Sequence, residues 1–382
     1  MNLERNYSMK IELSSSQSEK KQIFQTFVNN EIAPYADQFD KNEKIPKEVI
    51  QKIIGRDYAG MILPDESDNH DFDMISYGLL CEEIGKASAS LLSIVTVHGM
   101  VCQSLLKWGT TYQKEYWLPK LANGETIGAF ALTEPNIGSD AKNVGTTAVF
   151  SNGSYTLTGR KKWISCAQLA DIFLIMAQCE GKPVTFLIEK DQPGLSILPI
   201  HGMMGFKSAM LAELQMDKCI VSEENIVGRL GFGFSHVGLT ALNHGRYCIA
   251  WGGVGIAQGC LDASLDYTAK RKQFGAYLKD HQLIKRMIAD MVTNIKAARL
   301  LCYHAGYLNE TADPDLIMET SIAKYFASRT AVKAANDAVQ IHGANGCSSH
   351  FPVERYMRDA KILEIIEGSN EIQQLIIADY AY

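Results

Sequence analysis

The sequence lacks the features that mark nucleic-acid-binding, membrane-spanning and disulfide-bonded proteins. No cluster of lysines and arginines stands out and the net charge is −6, so nucleic acid is not an expected partner. No apolar run approaches the length that crosses a bilayer, and Met1 to Glu19 has no apolar core of a secretory signal, so no membrane association is expected. The nine cysteines are scattered without a Cys-x-x-Cys pair, which predicts a reduced, cytoplasmic protein with neither a disulfide framework nor a metal site.

What the chain does have is length and a change of character along it. Its 382 residues, 46% of them apolar, exceed one ordinary core and predict two or three domains. Residues 1–125 have the pattern of a helical domain. A capping box at Ser16 to Glu19 and a proline at position 46 each precede a helix. A third helix is expected from Met74, and the run from Leu91 to Trp108 predicts a buried helix.

Residues 126–231 are predicted to form a middle β-domain. The β-prone runs Thr146 to Phe150 and Tyr155 to Thr158 are joined by Ser-Asn-Gly-Ser, which is a hairpin signal. Four more short β-prone runs follow: Ile172 to Met176, Val184 to Ile188, Leu195 to Ile200 and Leu211 to Met216. Several short strands in one segment favour a small sandwich or barrel.

Residues 232–382 turn helical again. Four segments have the apolar period of antiparallel helices: Gly233 to Ala269, His281 to Leu308, Pro314 to His342 and Pro352 to Ala378. The expected fold class is therefore an α+β multidomain protein, with an N-terminal helical domain, a middle β-sandwich or barrel and a C-terminal four-helix bundle.

Two motifs of the middle domain could hold a flat ring. The segment Phe130-Ala-Leu-Thr-Glu-Pro-Asn-Ile-Gly-Ser-Asp140 follows a strand, and its Thr133 and Ser139 hydroxyls could face a heterocycle or a phosphate. The segment Lys161-Lys-Trp-Ile-Ser165 sets an indole beside a hydroxyl, which could stack on a ring and bond its edge. Taken singly, the two motifs also fit an ordinary turn and a core tryptophan.

Two further motifs lie in the C-terminal part. In Arg271-Lys-Gln-Phe-Gly275, between two long helices, a guanidinium could bind a pyrophosphate bidentately, although a solvated turn arginine fits as well. The segment Gln340-Ile-His-Gly-Ala-Asn-Gly346 ends a helix with glycines that either cap it or admit a close ligand.

The last motif contains a candidate general base. In Tyr356-Met-Arg-Asp-Ala-Lys-Ile-Leu-Glu-Ile-Ile-Glu-Gly-Ser-Asn-Glu371, Glu367 follows two isoleucines and precedes Gly-Ser. A carboxylate in an apolar pocket has a raised pKa and suits proton abstraction. A helix-capping or surface glutamate would fit the same pattern.

Together and in this order, the five motifs resemble the acyl-CoA dehydrogenase family over nearly the whole chain. The family pattern is Thr/Ser-Glu-Pro-x-x-Gly-Ser-Asp, Trp-Ile-Thr/Ser, Arg-x-x-Phe-Gly, Gln-x-x-Gly-x-x-Gly and Glu-Gly-Thr/Ser, and every part is present. The resemblance implies FAD, bound between the β-domain and the bundle and partly by a neighbouring subunit of a homodimer or homotetramer. The residues it implies for FAD are Phe130, Leu132, Thr133, Gly138, Ser139, Trp163, Ile164, Ser165, Arg271, Phe274, His281, Gln282, Gln340, Gly343, Ala344, Ser369 and Glu371.

The resemblance also implies a mechanism, in which Glu367 takes the α-proton of an acyl thioester while the β-hydride moves to flavin N5. Some family members place the base just before the arginine that matches Arg246, but Gly245 stands there in this chain. The thioester path would be lined by Ser139, Asn243, Arg246 and Gly368. The expected electron acceptor is an electron-transfer flavoprotein.

For the substrate, three stretches resemble a polyketide-pathway branch that oxidises a glyceryl-derived unit on an acyl carrier protein toward hydroxymalonyl. They are Leu92-Ser-Ile-Val-Thr-Val-His-Gly-Met-Val101, Arg246-Tyr-x-Ile-Ala-Trp-Gly and Ile365-Ile-Glu-Gly-Ser. We favour this substrate from the sequence, with a short-chain acyl-CoA dehydrogenase forming 2,3-enoyl-CoA as the alternative. Glutarate is not expected, because the loop from Gly85 to Ser90 offers Lys86 where glutaryl-CoA dehydrogenases have an arginine. A silent flavin- or thioester-binding scaffold and a peroxide-forming oxidase remain open as other classes.

Overall fold

The computed structural model describes residues 12–55, 57–63 and 73–382. The first eleven residues of the polar N-terminal segment lie outside this part. The helices of the N-terminal domain are α1 (Ser15–Glu31), α2 (Ala36–Asn42), α3 (Lys47–Ile54), α4 (Met74–Ala87), α5 (Ala89–Trp108) and α6 (Thr111–Ala122). The middle strands are β1 (Gly128–Ala131), β2 (Thr147–Ser151), β3 (Ser154–Ile164), β4 (Ile172–Cys179), β5 (Lys182–Glu189), β6 (Leu195–Pro199) and β7 (Ala212–Ser222).

The C-terminal domain follows in the order α7 (Leu239–Lys270), β8 (Lys272–Gln273), β9 (Ala276–Tyr277), α8 (Gln282–Glu310), α9 (Leu316–His342), α10 (Val353–Leu363) and α11 (Asn370–Ala381). A π-helical turn, Gly233–Gly238, leads into α7. The expected order of a helical, a β and a helical domain is confirmed.

Side-chain caps start several N-terminal helices. The capping box of α1 is Ser14 with Gln17, two residues earlier than the box predicted at Ser16 to Glu19, because the Ser14 hydroxyl accepts from the Gln17 backbone at 3.1 Å. Asp73 caps α4 as its carboxylate accepts from the backbone N–H of Ser76, and Ser88 caps α5. These caps fix the starts of the two helices that pack beside the site.

Helix α5 corrects one expectation about the sequence. Ala89–Trp108 is long and apolar enough to cross a membrane by length and composition, although no such run was expected. In the structure, 89% of its most apolar 18-residue window is buried by the rest of the protein. Its apolar side chains therefore pack against the rest of the protein, as expected of a central core helix.

The seven middle strands hydrogen-bond into one mixed sheet in the order β1-β4-β2-β3-β7-β6, with β5 added to β4. The predicted hairpin is β2 and β3, whose two-residue turn places Asn152 and Gly153 at φ 52° and 80°. Strand β1 runs parallel to β4. The carboxyl ends of β1 and β3 carry the two motifs expected to hold a ring.

Helix α7 is the central helix of the molecule and packs on α4, α5, α8 and α9. Its glycines allow this close approach. A Cβ on Gly253 would lie 2.9 Å from the Ala327 carbonyl oxygen of α9, and one on Gly255 would collide with the Glu82 carbonyl of α4.

The segment predicted as one helix from Pro352 to Ala378 is two helices, α10 and α11. Glu367 and Gly368, between them, take left-handed backbone conformations with φ 54° and 81°. An α-helix cannot continue through such residues, so the expectation of one continuous helix was wrong. The break directs the candidate base inward.

Candidate active site

The carboxyl group of Glu367 lies in the interior, between the α10–α11 break and helix α7. A Cβ on Gly245 would collide with Glu367 Oε2, so the absence of a side chain there makes room for the carboxylate. Oε2 is inaccessible to solvent and has no hydrogen-bond partner among the described residues. Burial raises the pKa of Glu367 to about 7, against the opposing effect of the Arg246 guanidinium. An unpartnered carboxylate with this pKa can accept a proton near neutral pH.

Arg246, next along α7, faces the same break. Its Nε donates to the Glu367 carbonyl oxygen at 3.4 Å, and the side chain is buried. Burial lowers the pKa of the guanidinium and the Glu367 carboxylate opposes this, but an arginine keeps its charge in a protein. A cation is therefore buried beside the candidate base.

Two residues that the sequence analysis did not assign to the site, Lys324 and Gln373, also hold the break. Lys324 on α9 donates to the Gly368 carbonyl oxygen at 2.9 Å and to Asn370 Oδ1 at 3.1 Å. Gln373 donates to the carbonyl oxygens of Glu367 at 3.2 Å and Gly368 at 3.0 Å. The sequence gives one signal for Lys324, which is a lysine within the apolar and small residues of a helix.

A buried polar cluster lies beside Gly245 where α4, α5 and α7 meet. His244 Nε2 is 3.4 Å from Cys248 Sγ, and its ring centroid is 5.4 Å from that of Tyr77. A Cβ on Gly99 of α5 would collide with His244 Nε2 and lie 2.9 Å from Tyr77 Oη. These bulky side chains fill the interior where the three helices meet, one residue along α7 from Gly245.

The two candidate ring-binding motifs hydrogen-bond to each other at the ends of β1 and β3. Lys162 N–H donates to the Thr133 carbonyl at 2.8 Å, and Lys161 Nζ donates to the Leu132 carbonyl at 3.0 Å. Trp163 has φ 64° and 46% of its surface is exposed. The side chains of Phe130, Leu132 and Ile164 are buried, so they can offer a ligand little more than backbone.

The loop after Thr133 is held by a buried ion pair that sequence analysis did not assign. Glu134 Oε1 accepts from Lys161 Nζ at 2.7 Å and from the Thr146 hydroxyl at 2.6 Å. Burial lowers the pKa of Lys161 to about 8, and the Glu134 carboxylate opposes that shift. Gly138 and Ser139, farther along this loop, are exposed.

Helix α5 connects the ring-binding motifs to the candidate base. Ser93 Oγ lies 2.8 Å from Ser165 Oγ, and Gly99 on the same helix lies against His244. Six residues of helix span about 9 Å. The motif segment at Ser165 and the carboxylate beside Gly245 therefore belong to one region.

The remaining predicted FAD residues lie on the surface, at the ends of α7 and α9. Arg271, Phe274 and Gln282 are exposed, with Phe274 at 97%. His281 Nε2 lies 3.2 Å from the Gln273 carbonyl. Gln340, Gly343 and Ala344 are exposed at the end of α9, beside Tyr267, whose Oη donates to the His342 carbonyl at 3.3 Å. Within one chain these residues remain open to solvent.

Three other predicted residues border the break and α7. Ser369 immediately precedes α11, and Glu371 is exposed in its first turn. Asn243 is half-buried, and its Oδ1 is inaccessible and unpartnered among the described residues. The described residues contain no group of three His, Cys, Asp or Glu side chains placed to hold a metal ion. All nine cysteines are free thiols.

The donors present fit a flavin. The exposed Trp163 indole, the half-buried Thr133 and Ser165 hydroxyls and the nearby backbone groups suit a flat ring with polar edges. The exposed Arg271 guanidinium suits a pyrophosphate. When bound, a flavin supplies a two-electron acceptor for a hydride.

Three family models match the chain in succession. They are the acyl-CoA dehydrogenase N-terminal domain at residues 14–125, the middle domain at 129–219 and the C-terminal domain at 232–381. This fold defines an FAD-dependent oxidoreductase that acts on a CH–CH bond. The chain belongs to the acyl-CoA dehydrogenase family.

Individual relatives cover almost the full chain. An acyl-CoA dehydrogenase of Bacillus subtilis (strain 168) is 39% identical over 94% of this chain and 96% of its own length. A short-chain-specific acyl-CoA dehydrogenase of Clostridium acetobutylicum is 36% identical over 97% and 99%. The solved butyryl-CoA dehydrogenase of Megasphaera elsdenii has TM-score 0.92 at 32% identity, covering 98% of this chain and all of the other.

The comparisons do not favour the polyketide branch. A solved protein of methoxymalonyl extender-unit biosynthesis has TM-score 0.85 and 26% identity over 95% of this chain and 99% of the other. That likeness is weaker than the likeness to the Bacillus subtilis, Clostridium acetobutylicum and Megasphaera elsdenii proteins, which are 39%, 36% and 32% identical. The three resembling stretches are too short to outweigh identity spread over the whole chain.

Proposed function

We propose that this protein oxidises short-chain acyl-CoA thioesters to 2,3-enoyl-CoA, with Glu367 as the general base. One observation carries the proposal, which is the buried, unpartnered Glu367 Oε2 with a pKa raised to about 7. The relatives named for short-chain and butyryl substrates support the acyl length. We infer that the buried rings of His244 and Tyr77, beside Gly245, limit the room for the acyl chain.

In this proposal each part of the site has one task. Glu367 Oε2 accepts the α-proton, while Gly245 leaves room for the carboxylate. Asn243, Arg246, Gly368 and Ser139 line the thioester path. The segments 130–139 and 163–165 hold FAD, which accepts the β-hydride when bound. Ser369 and Glu371 complete the site.

The exposed residues of the α7–α8 hairpin and the end of α9 suit a second subunit. Phe274 is almost fully exposed and Leu283 is 69% exposed, which is unfavourable for large apolar groups unless a neighbour covers them. We infer a homodimer or homotetramer in which Arg271, Phe274, His281, Gln282 and residues 340–344 reach a neighbour's FAD. An electron-transfer flavoprotein is the proposed acceptor and the cytoplasm the proposed location.

The acyl length is tested by anaerobic mixing of the FAD-loaded protein with butyryl-CoA, hexanoyl-CoA or octanoyl-CoA. Bleaching of the flavin should be at least about tenfold faster with butyryl-CoA than with octanoyl-CoA, because a longer chain must displace packed side chains. Glu367→Gln protein serves as the control for bleaching that needs no base. Faster bleaching by octanoyl-CoA would contradict the short-chain assignment.

A second candidate is oxidation of a glyceryl-derived thioester on an acyl carrier protein. The stretches at 92–101, 246–252 and 365–369 and the overall likeness to an extender-unit protein favour it. Under this alternative, a carrier-protein thioester bleaches the flavin much faster than butyryl-CoA does. Equal or better rates with butyryl-CoA would exclude it.

A further inference from the structure

Lys324 is a buried cation whose task the proposed chemistry does not yet include. It lies in the first half of α9 and has no measurable exposure. Its Nζ donates to two uncharged acceptors, the Gly368 carbonyl at 2.9 Å and Asn370 Oδ1 at 3.1 Å. Removing an ammonium from water is unfavourable, and burial lowers the pKa of Lys324 to about 8. Such a residue destabilises the fold unless its contacts compensate.

Those contacts hold the turn that carries the base. Glu367 and Gly368 are both left-handed, with φ 54° and 81°, and the non-glycine residue is strained there. Lys324 anchors the carbonyl of Gly368, immediately after the base, to the rigid helix α9. The other acceptor, Asn370, is fixed in turn by the Ser328 hydroxyl, which donates to Asn370 Oδ1 at 2.9 Å.

Lys324 also contributes a positive charge that acts on the Glu367 carboxylate. The groups that face Glu367 are Arg246, His244 and Cys248 on α7 and Lys324 on α9. Arg246 and Lys324 both oppose the effect of burial on the carboxyl, while Cys248 adds to it. After Glu367, the acidic groups with the largest electrostatic effect on Lys324 are Glu364 and Glu371, at either side of the break. Glu367 is the largest favourable electrostatic partner of the Lys324 ammonium.

We propose that Lys324 is a positioning residue of this site, which holds the left-handed turn at Glu367 and Gly368 and whose charge keeps the base ionised at neutral pH. The proposal rests on the function proposed for Glu367. Lys324 contacts the backbone carbonyl of Gly368 and the side chain of Asn370, and its charge acts on the Glu367 carboxylate.

The test compares Lys324→Met with Lys333→Met, an exposed lysine of the same helix that pairs with Asp337 at 2.8 Å. Both proteins are loaded with FAD and mixed anaerobically with butyryl-CoA from pH 6 to pH 9. For Lys324→Met, the pH at half-maximal bleaching rate should move alkaline by roughly half a unit to one unit, since a nearby cation is lost. The limiting rate should fall about tenfold, because the turn is less well held. Lys333→Met should match the wild type in both respects.

A second variant separates charge from packing. Lys324→Gln removes the charge but keeps a donor for the Gly368 carbonyl, so it should show the alkaline shift with a smaller loss of rate. It also decides the question if Lys324→Met does not fold. The protonation of Glu367 can also be followed without substrate. For each Lys324 variant, Tm is measured against pH with and without the additional substitution Glu367→Gln. The pH at which the difference between the two Tm values changes should also move alkaline relative to the same comparison in the wild type.

The outcomes distinguish the two proposals. A folded Lys324 variant with the wild-type pH profile, beside an inactive Glu367→Gln, would overturn the role of Lys324 and leave the base intact. Failure of both Lys324 variants to fold would make Lys324 a framework residue and would equally overturn its role. A Glu367→Gln protein that bleaches at the wild-type rate would overturn the base and the Lys324 proposal together.

Discussion

The carboxyl group of Glu367 is costly to ionise where it lies. Its pKa is raised to about 7 by burial, while Arg246 and Lys324 act in the opposite direction. Each pKa unit corresponds to about 1.4 kcal/mol between the two protonation states. Glu367 therefore suits proton abstraction near neutral pH. Burial makes it a stronger base than an exposed glutamate, and the two cations keep part of the population ionised.

At the residue scale, we expect the rate of flavin bleaching to depend on pH, and we expect this dependence to be lost when the Glu367 carboxylate is removed. A general base acts when deprotonated, so wild-type flavin bleaching by butyryl-CoA should rise with pH through about 7. Glu367→Gln should bind the same thioester yet bleach at least about a hundredfold more slowly at every pH. FAD content and oligomeric state should remain those of the wild type, because the substitution is nearly isosteric. A rate near wild type would mean that Glu367 is only structural.

At the scale of elements, the break between α10 and α11 brings the carboxyl group of the candidate base into the interior. Gly368 has φ 81°, and a Cβ there would lie 2.6 Å from Gln373 Nε2. That amide holds the carbonyl oxygens of Glu367 and Gly368, so the glycine is needed both for its backbone conformation and for space.

Gly368→Ala should therefore reduce both stability and activity. We expect a loss of about 1–2 kcal/mol in the free energy of unfolding, measured by denaturant titration. The bleaching rate should fall at least about tenfold because the base moves. The matched control is Gly181→Ala, in the β4–β5 turn, where φ is 74° and no atom lies within 4 Å of the added Cβ. The control should lose stability alone, and equal loss of rate in both would refute the role of the break.

Elements could be predicted from the sequence where a period or a turn signal is local. The β2–β3 hairpin and the buried helix α5 follow from Ser-Asn-Gly-Ser and from an apolar run, and both are present. The break at Glu367 was missed because apolar residues continue in helical spacing on both sides of it. Gly368 and Gln373 hold the break from within the segment, but the hydrogen bonds from Lys324 on α9 come from outside it, and no local pattern shows them.

At the scale of the whole molecule, residues of all three domains converge on the site. Ser93 comes from the N-terminal domain, Ser165 from the middle domain and Glu367 from the C-terminal domain. Arg358 of α10 fixes their relative position, since it donates to both carboxylate oxygens of Asp40 on α2 and to the Met204 carbonyl of the middle domain at 3.1 Å. The buried neighbour Asp359 accepts from the Phe206 backbone at 2.8 Å.

Arg271 provides a test of the whole assembly. Its side chain is exposed at the α7–α8 hairpin, so Arg271→Ala should leave the fold and Tm of the FAD-free chain unchanged. If a neighbour's FAD binds there, the lost charge-assisted hydrogen bonds should weaken FAD binding about tenfold to a hundredfold. The neighbouring Lys270→Ala, which removes only an exposed pair with Asp266, is the control. FAD titration and light scattering check the outcome, and unchanged FAD affinity in Arg271→Ala would remove this residue from the cofactor site.

The sequence by itself determined the order of the three domains, the family and the identity of the candidate base, because local patterns and ordered motifs carry that information. Only the tertiary structure decided the surroundings of this candidate base. Burial raises the pKa of Glu367, and the charges of Arg246 on α7 and Lys324 on α9 oppose this shift. The space for its carboxyl group depends on Gly245, which is remote from it in sequence. Electrostatic and steric effects act through space, so residues such as Lys324 acquire a role only when the fold brings them to the carboxylate.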